Sequence, residues 1–171
     1  IIGFGSIGKR HYKNLIDLGY KDIFVFDVNE GSFEGFENVK RIKDLKDNLL
    51  VDFKAVFICS PNNMHIKHAL ICAKAGTHLF IEKPISHNLN GLKELENICR
   101  RKGLITMIGC NMRFHPCLEF IKKYLDNKML GKIYSIRHEF GYFLPYWRPT
   151  QDYRKNYAAK KSTGGGIILD D

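Results

Sequence analysis

Short apolar runs alternate with amphipathic stretches along most of this chain. Ile1 and Ile2 read as the end of a buried strand, and residues 7–18 behind them read as a helix. Residues 23–26 form a second strand candidate, and a shorter one lies around residues 39–42 after a polar stretch. The run Ala55-Val56-Phe57-Ile58-Cys59 is apolar throughout, as expected of a strand covered on both faces. Ser60-Pro61-Asn62-Asn63 stops it. A helix follows, with Ile66, Ala69, Leu70 and Ala73 on one stripe and Gly76 as its stop. Residues 78–81 are the next strand, ending at Glu82-Lys83-Pro84. Leu92, Leu95, Ile98 and Cys99 then mark another helix, closed near Gly103, and residues 104–108 a further strand. This repetition predicts an α/β fold: a doubly wound parallel sheet with helices on both faces.

The pattern changes after Phe114. Leu118, Ile121 and Leu125 mark a helix starting near Pro116, and Gly131-Lys132 leads into a longer strand over residues 133–140. A polar, aromatic-rich stretch follows at residues 142–161. The expected organisation is a nucleotide-binding domain over residues 1–114 and an unfinished second domain over residues 115–171. The chain opens inside a strand and ends inside Gly164-Gly165-Gly166-Ile167-Ile168-Leu169-Asp170-Asp171, so it reads as a piece cut at both ends.

The chemistry starts at the first strand's end. Gly3-Phe4-Gly5-Ser6-Ile7-Gly8 has the spacing G-x-G-x-x-G between a strand and a helix, with Asp27 closing the second strand. Gly3 permits a tight turn, Gly5 lets a pyrophosphate approach the backbone, and Gly8 lets the helix pack on the sheet. The N–H groups around Ser6 and Ile7, at the positive end of the helix dipole, face the phosphates. Asp27 stands where a carboxylate accepts hydrogen bonds from the ribose hydroxyls. A 2′-phosphate there would meet like charge, and no Arg follows in Val28-Asn29-Glu30, so NAD is favoured over NADP.

Composition narrows the alternatives. At 171 residues, 44% hydrophobic and 26% charged, the chain suits a globular protein with one full core and part of a second. No apolar run approaches the ~20 residues needed to span a bilayer. The five cysteines, Cys59, Cys72, Cys99, Cys110 and Cys117, are odd in number and form no C-x-x-C. They read as buried reduced thiols of a cytoplasmic protein. His65, His68 and Cys72 read as ordinary helix positions, so no metal site is expected. Residues 1–57 balance nine basic against nine acidic side chains, whereas residues 58–171 carry eighteen against nine. The whole net charge of +9 lies in that later part. It reads either as Lys and Arg scattered along solvated helix faces or as an attraction for an anionic partner; the aromatics are not interleaved with the basic residues as a nucleic-acid platform would need.

Three further groups fall at strand ends, where ligands of a doubly wound sheet bind. Ser60, Pro61 and Asn62, with His65, can line the ribose and nicotinamide. Glu82-Lys83-Pro84 reads either as a surface Lys before a Pro or as an ammonium beside a nicotinamide, where a second positive charge would make it a proton donor or acceptor. Pro84 stiffens that turn, with a cis bond as one way to do so. Arg113, in Asn111-Met112-Arg113-Phe114-His115-Pro116, reads either as a partner for a substrate anion or as an interdomain hydrogen-bonding residue.

These blocks occur in order with Gly164-Gly165-Gly166-Ile167-Ile168-Leu169-Asp170, and together they resemble the Gfo/Idh/MocA family of oxidoreductases. The resemblance covers the whole chain. It implies an N-terminal Rossmann domain, then an α+β domain on a large, mostly antiparallel sheet, and pyridine-nucleotide redox chemistry on sugars or related polyols. It implies that Lys83 is catalytic, and that Asp170 is a catalytic or substrate residue. The family's acid–base His lies a few residues beyond that Asp, past the last residue of this chain, so the piece as given is expected to bind cofactor without turning over. The segment from Tyr146 to Tyr157 resembles members associated with bacterial surface-sugar synthesis; it reads either as a substrate contact, with Trp147, Arg148 and Tyr153 stacking on a sugar or pairing with its anion, or as an extended arm over the cofactor or a neighbour's surface. The implied partner is a sugar-like small molecule, with no nucleic acid or membrane, in a homo-oligomeric parent protein. A non-catalytic NAD(H) sensor is the alternative; it would need the glycine turn and Asp27 but not Lys83.

Overall fold

A computed structural model describes residues 1–45, 52–147, 152–155, 159–163, 165 and 166. They fall into two compact units. One comprises Ile1–Gly109 with the described residues of Tyr157–Asp171, and the other is Cys110–Asn156. The change of character read at residue 114 thus lies a few residues beyond the division at Gly109.

The first unit is a parallel sheet. Its strands are β1 (Phe24–Val25), β2 (Lys40–Arg41), β3 (Ala55–Ile58), β4 (His78–Ile81) and β5 (Thr106–Ile108). Ile2 bridges Phe26 on one side and Ile58 on the other, both in parallel. The order across the sheet is therefore β2, β1, the Ile2 segment, β3, β4, β5, with every pairing parallel. Chain order reverses at the Ile2 segment, and this switch point opens a crevice at the carboxyl ends of the strands.

Alternation along the strands sorts their side chains between two faces. Val56, Ile58, Leu79 and Ile81 are buried in one core with Ile66, Ala69, Cys72 and Ala73 of α2 (His65–Ala75) and with Leu95, Ile98 and Cys99 of α3 (Leu92–Lys102). Phe57 and Phe80 point the other way and stack on each other with ring centroids 4.9 Å apart. His11 of α1 (Ser6–Asp17) lies against both rings. A smaller core of Phe4, Val25, Phe33 and Val39 fills the space near β1.

Two glycines allow α1 to leave the sheet so sharply. Gly3 has φ +92°, and a Cβ on it would stand 2.6 Å from the Cys59 carbonyl. A Cβ on Gly8 would stand 2.0 Å from the Gly3 carbonyl oxygen.

The second unit begins with a turn at Asn111–Phe114 and continues in α4 (Pro116–Asp126). His115 caps that helix, its ring nitrogen Nδ1 accepting from the Cys117 N–H. The strand expected over residues 133–140 is not formed, and Ile133, Ile136 and Phe140 are exposed. Nor is there an antiparallel sheet among the described residues. The physical reason is that a strand needs a ladder partner, and none of the described residues offers one there. The expectation of buried thiols also needs correction: Cys110 and Cys117 are exposed, although all five cysteines are free. Among the described residues no helix is long and apolar enough to cross a membrane.

Two outcomes follow from this packing. Gly8→Ala forces backbone against backbone and should lower the unfolding free energy in urea by about 3 kcal/mol. A loss within about 0.5 kcal/mol would show that the crossing can relax. His68 of α2 is held near a pKa of about 4 by burial, with like charge from Lys67 and His65 adding to it. An unfolded His titrates near ~6.5, so the unfolded chain binds the extra proton first and stability falls as pH drops from about 6.5 to 4. His68→Gln should flatten that part of the stability profile. An equally steep fall in the variant would assign the effect to other groups.

Candidate functional site

The register of the sheet lines up one row of residues: Phe26, Ile2, Ile58, Ile81 and Ile108. The next residue on each strand forms the carboxyl edge, namely Asp27, Gly3, Cys59, Glu82 and Gly109. Backbone bonds hold the register there: Gly3 N–H to Phe26 O at 2.8 Å, Cys59 N–H to Ile2 O at 2.7 Å, Glu82 N–H to Ile58 O at 2.9 Å and Gly109 N–H to Ile81 O at 2.8 Å. Most of the residues picked out from sequence therefore stand on or beside one edge.

At the centre of that edge is the glycine turn. Gly5 caps α1 without any side-chain hydrogen bond, and the first turn of the helix holds no acidic residue. The N–H groups of Ser6, Ile7 and Gly8 thus begin the helix with no carbonyl partner inside it and with the dipole's positive end outward. A Cβ on Gly5 would meet nothing within 4 Å. This is a backbone cradle for an anion, bare where a diphosphate would approach. Asp27 is turned toward the same loop. Its Oδ2 accepts from the Phe4 N–H, and its Oδ1 accepts from the Asn29 N–H at 2.8 Å. Each oxygen keeps a second lone pair for a ribose hydroxyl. The residues present fit a dinucleotide.

Beyond β3, Asn62 is buried and starts a short turn, Asn62–Met64. The Asn63 carboxamide donates to Ser162 O at 3.2 Å, which brings the Lys161–Thr163 turn to this strand end. Ser60 is buried, and its Oγ lies 2.9 Å from His68 Nδ1. His65 is 1% exposed. Its Nε2 faces Ser60 O and its Nδ1 faces Pro84 O, each at 2.7 Å. Each ring nitrogen thus faces a backbone carbonyl, and the neutral ring donates to one of the two.

Beyond β4, the Lys83–Pro84 peptide is cis. Glu82 Oε1 lies 2.7 Å from His11 Nε2, and both side chains are 16% exposed. Burial alone would raise the Glu82 carboxyl. The hydrogen bond and charge of His11, with the Lys83 N–H and Arg10, outweigh it and hold the group below the usual carboxylate range. Gly109 makes room for this carboxylate, since a Cβ there would lie 3.1 Å from it. Burial, with the Glu82 charge, pushes the Cys59 thiol up to about 12, so this edge cysteine is a neutral thiol and no nucleophile.

Arg113 belongs to the second unit, exposed in the Asn111–Phe114 turn. Tyr153 is half-buried in the Tyr153–Lys155 turn of that unit. Trp147 ends a single helical turn, while its side chain, Arg148 and Asp170 lie outside the described residues. Sequence reasoning missed His11 and Gly109. A signal for His11 existed: it follows Gly8 by three, so it shares the face that packs on the sheet. Gly109 follows β5 directly, a position that only the Glu82 carboxylate explains.

Comparison with known proteins agrees with this geometry. The model of the Gfo/Idh/MocA oxidoreductase family, NAD-binding Rossmann fold, matches residues 1–110. The chain is 31% identical over 176 residues to a myo-inositol 2-dehydrogenase of Thermotoga maritima, covering 99% of this chain and 50% of that protein. It is 28% identical over 185 residues to a glucose-6-phosphate 3-dehydrogenase of Bacillus subtilis, covering 100% and 51%. The crystal structure of a probable dehydrogenase from Thermotoga maritima superposes with a TM-score of 0.67 at 31% identity, covering 77% of this chain and 41% of that one. The chain spans about half the length of the curated relatives it matches. A parallel sheet in the Rossmann order, opened by a bare glycine turn, is thus matched by sequence along its length, and the chain belongs to the Gfo/Idh/MocA oxidoreductase family, with residues 1–110 as its NAD-binding Rossmann domain.

Proposed function

We propose that the parent protein is an NAD-dependent dehydrogenase that oxidises a hydroxyl-bearing carbon of a sugar, sugar nucleotide or cyclic polyol. The observation that carries this reading is the shared edge. The phosphate cradle of residues 3–8, the Asp27 carboxylate and the Glu82-Lys83-Pro84 turn all end the same parallel strands. Ser6 and Ile7 offer backbone N–H groups to the diphosphate, and Asp27 holds the adenosine ribose. Ser60, Pro61 and Asn62 border the coenzyme at the end of β3. Glu82 fixes the backbone from which Lys83 projects.

Bound NAD supplies the two-electron acceptor. Lys83, as the neutral amine, would take the proton from the substrate hydroxyl while the hydride of the adjoining C–H bond passes to that acceptor, so that protons and electrons balance. In the reverse direction Lys83 returns that proton to the carbonyl oxygen. Asp170 is assigned to the same proton path or to a substrate hydroxyl, on the family resemblance. Arg113, Trp147, Arg148 and Tyr153 are assigned to the substrate, where stacking and cationic side chains suit a sugar bearing phosphate or carboxylate. The twofold excess of basic over acidic side chains in residues 58–171 supports an anionic substrate. So does the glucose-6-phosphate named for one relative. The likeness of residues 146–157 to surface-sugar enzymes extends the reading to nucleotide-linked sugars. Asp27 favours NAD because the same carboxylate repels a 2′-phosphate.

The test uses the product of the complete reading frame. Inositols, free sugars, sugar phosphates and sugar nucleotides are screened with NAD and NADP by absorbance of the reduced nicotinamide. Turnover with NAD on at least one sugar or polyol is expected, exceeding that with NADP. On that substrate Lys83→Ala should lower kcat by about 10²–10⁴-fold while NADH binding persists. Undiminished turnover in Lys83→Ala would remove this lysine from the chemistry.

A further inference from the structure

We propose that His11 and His65 form a two-histidine clamp that positions the Lys83 side chain. The inference rests on the proton-transfer role given to Lys83 above. Each neighbour of Lys83 in the chain is tied to a different helix by one imidazole. On the preceding side, the Glu82 carboxylate takes the bond from His11 of α1 at 2.7 Å. On the following side, the Pro84 carbonyl takes the bond from His65 of α2 at 2.7 Å.

Both rings are fixed by more than these bonds. His11 lies edge-on to Phe80 at 5.0 Å between centroids and tilted on Phe57 at 5.4 Å. The other nitrogen of His65 lies 2.7 Å from Ser60 O, so the tautomer with its proton on Nδ1 is the one that makes the Pro84 bond, and the Ser60 hydroxyl is itself bonded to His68. The Glu82 carboxylate has little room to retreat, since it fills the space a Gly109 side chain would take. Bonds that served stability alone could fall anywhere along these strands. Both instead fall on the two residues that flank the lysine.

The clamp also explains what the two helices have in common. The amino end of α1 is the phosphate cradle, and α2 begins directly after Ser60-Pro61-Asn62. Lys83 is thereby referenced to both ends of the coenzyme crevice at once. His65, expected from sequence to line the coenzyme, turns both ring nitrogens toward backbone carbonyls. It acts as a positioning residue.

The experiment uses the product of the complete reading frame and the best substrate of the screen above. His11→Ala, His65→Ala, His11→Gln and His65→Gln are made in the wild-type and Lys83→Ala backgrounds. Kinetics, NADH fluorescence titration and thermal midpoints are recorded. Each Ala variant should keep NADH affinity and KM within about threefold, where a lost coenzyme contact would cost more. It should lose kcat by about 10- to 100-fold, the cost of a misplaced reacting group. Gln, which restores one donor, should recover part of that loss. In the Lys83→Ala background neither histidine substitution should lower the residual kcat further, an outcome that a purely structural role would not give. Where an Ala variant fails to fold, the Gln variant carries the same comparison.

Wild-type kcat in folded His11→Ala or His65→Ala would overturn the clamp. So would a kcat loss of full size in the Lys83→Ala background, or a loss of kcat that tracks a loss of NADH binding. Wild-type turnover in Lys83→Ala alone is scored first; it would strike down the role of Lys83, and the clamp with it.

Discussion

One close crossing of backbone on backbone governs the carboxyl edge of the sheet. α1 leaves the first strand so tightly that the Gly3 carbonyl occupies the place of a Gly8 side chain. No flexible group stands there to give way, so Gly8 must remain without a Cβ, while Gly3 is held to glycine by its φ of +92° and by the Cys59 backbone 2.6 Å from where its Cβ would stand. Three things follow from that single approach. The first turn of α1 opens at the switch point of the sheet. The Phe4 N–H reaches the Asp27 carboxylate from within the turn. His11, one turn further on, is laid over Phe57 and Phe80 and meets Glu82.

Charge at this edge is divided between two kinds of group. The cradle uses backbone dipoles, which carry positive potential without a side chain that could swing away. The carboxylates of Asp27 and Glu82 are tied by N–H donors and by His11, so neither is free to turn into the phosphate position. Positive backbone potential thereby lies at the centre of the edge, while carboxylates stand at β1 and β4 on either side. The same arrangement shows how an acidic residue can sit at the end of β1 beside the cradle: its two oxygens are held by the Phe4 and Asn29 N–H groups.

Much of the first unit is legible in the order of its apolar and polar residues. The five strand segments, the three helices behind them and the stops at Gly76 and Gly103 follow from periodicity, because each element buries one stripe or one alternating face. The glycine turn was legible because its spacing reflects close approach rather than composition. The direction of polar side chains was less so. His65 sits in a motif at a strand end, and only the fold shows that its two nitrogens both turn inward, to Ser60 and Pro84. His11 carried only a helical-face signal, which becomes informative once Glu82 is known to end the strand opposite. The stretch over residues 133–140 has the composition of a strand but no partner among the described residues, and composition alone does not make a ladder.

The central claim is that the turn at residues 3–8 holds the diphosphate of NAD through bare backbone. Gly5 isolates that claim. A side chain on it would touch nothing in the protein within 4 Å, and its φ of −71° suits any residue. The direct measurement is fluorescence titration of NADH into wild-type protein and Gly5→Val, with thermal unfolding of both. The account predicts an unchanged midpoint and a loss of NADH affinity of at least about 100-fold, as expected when a core contact of the site is blocked. Equal NADH affinity in the two proteins would contradict it.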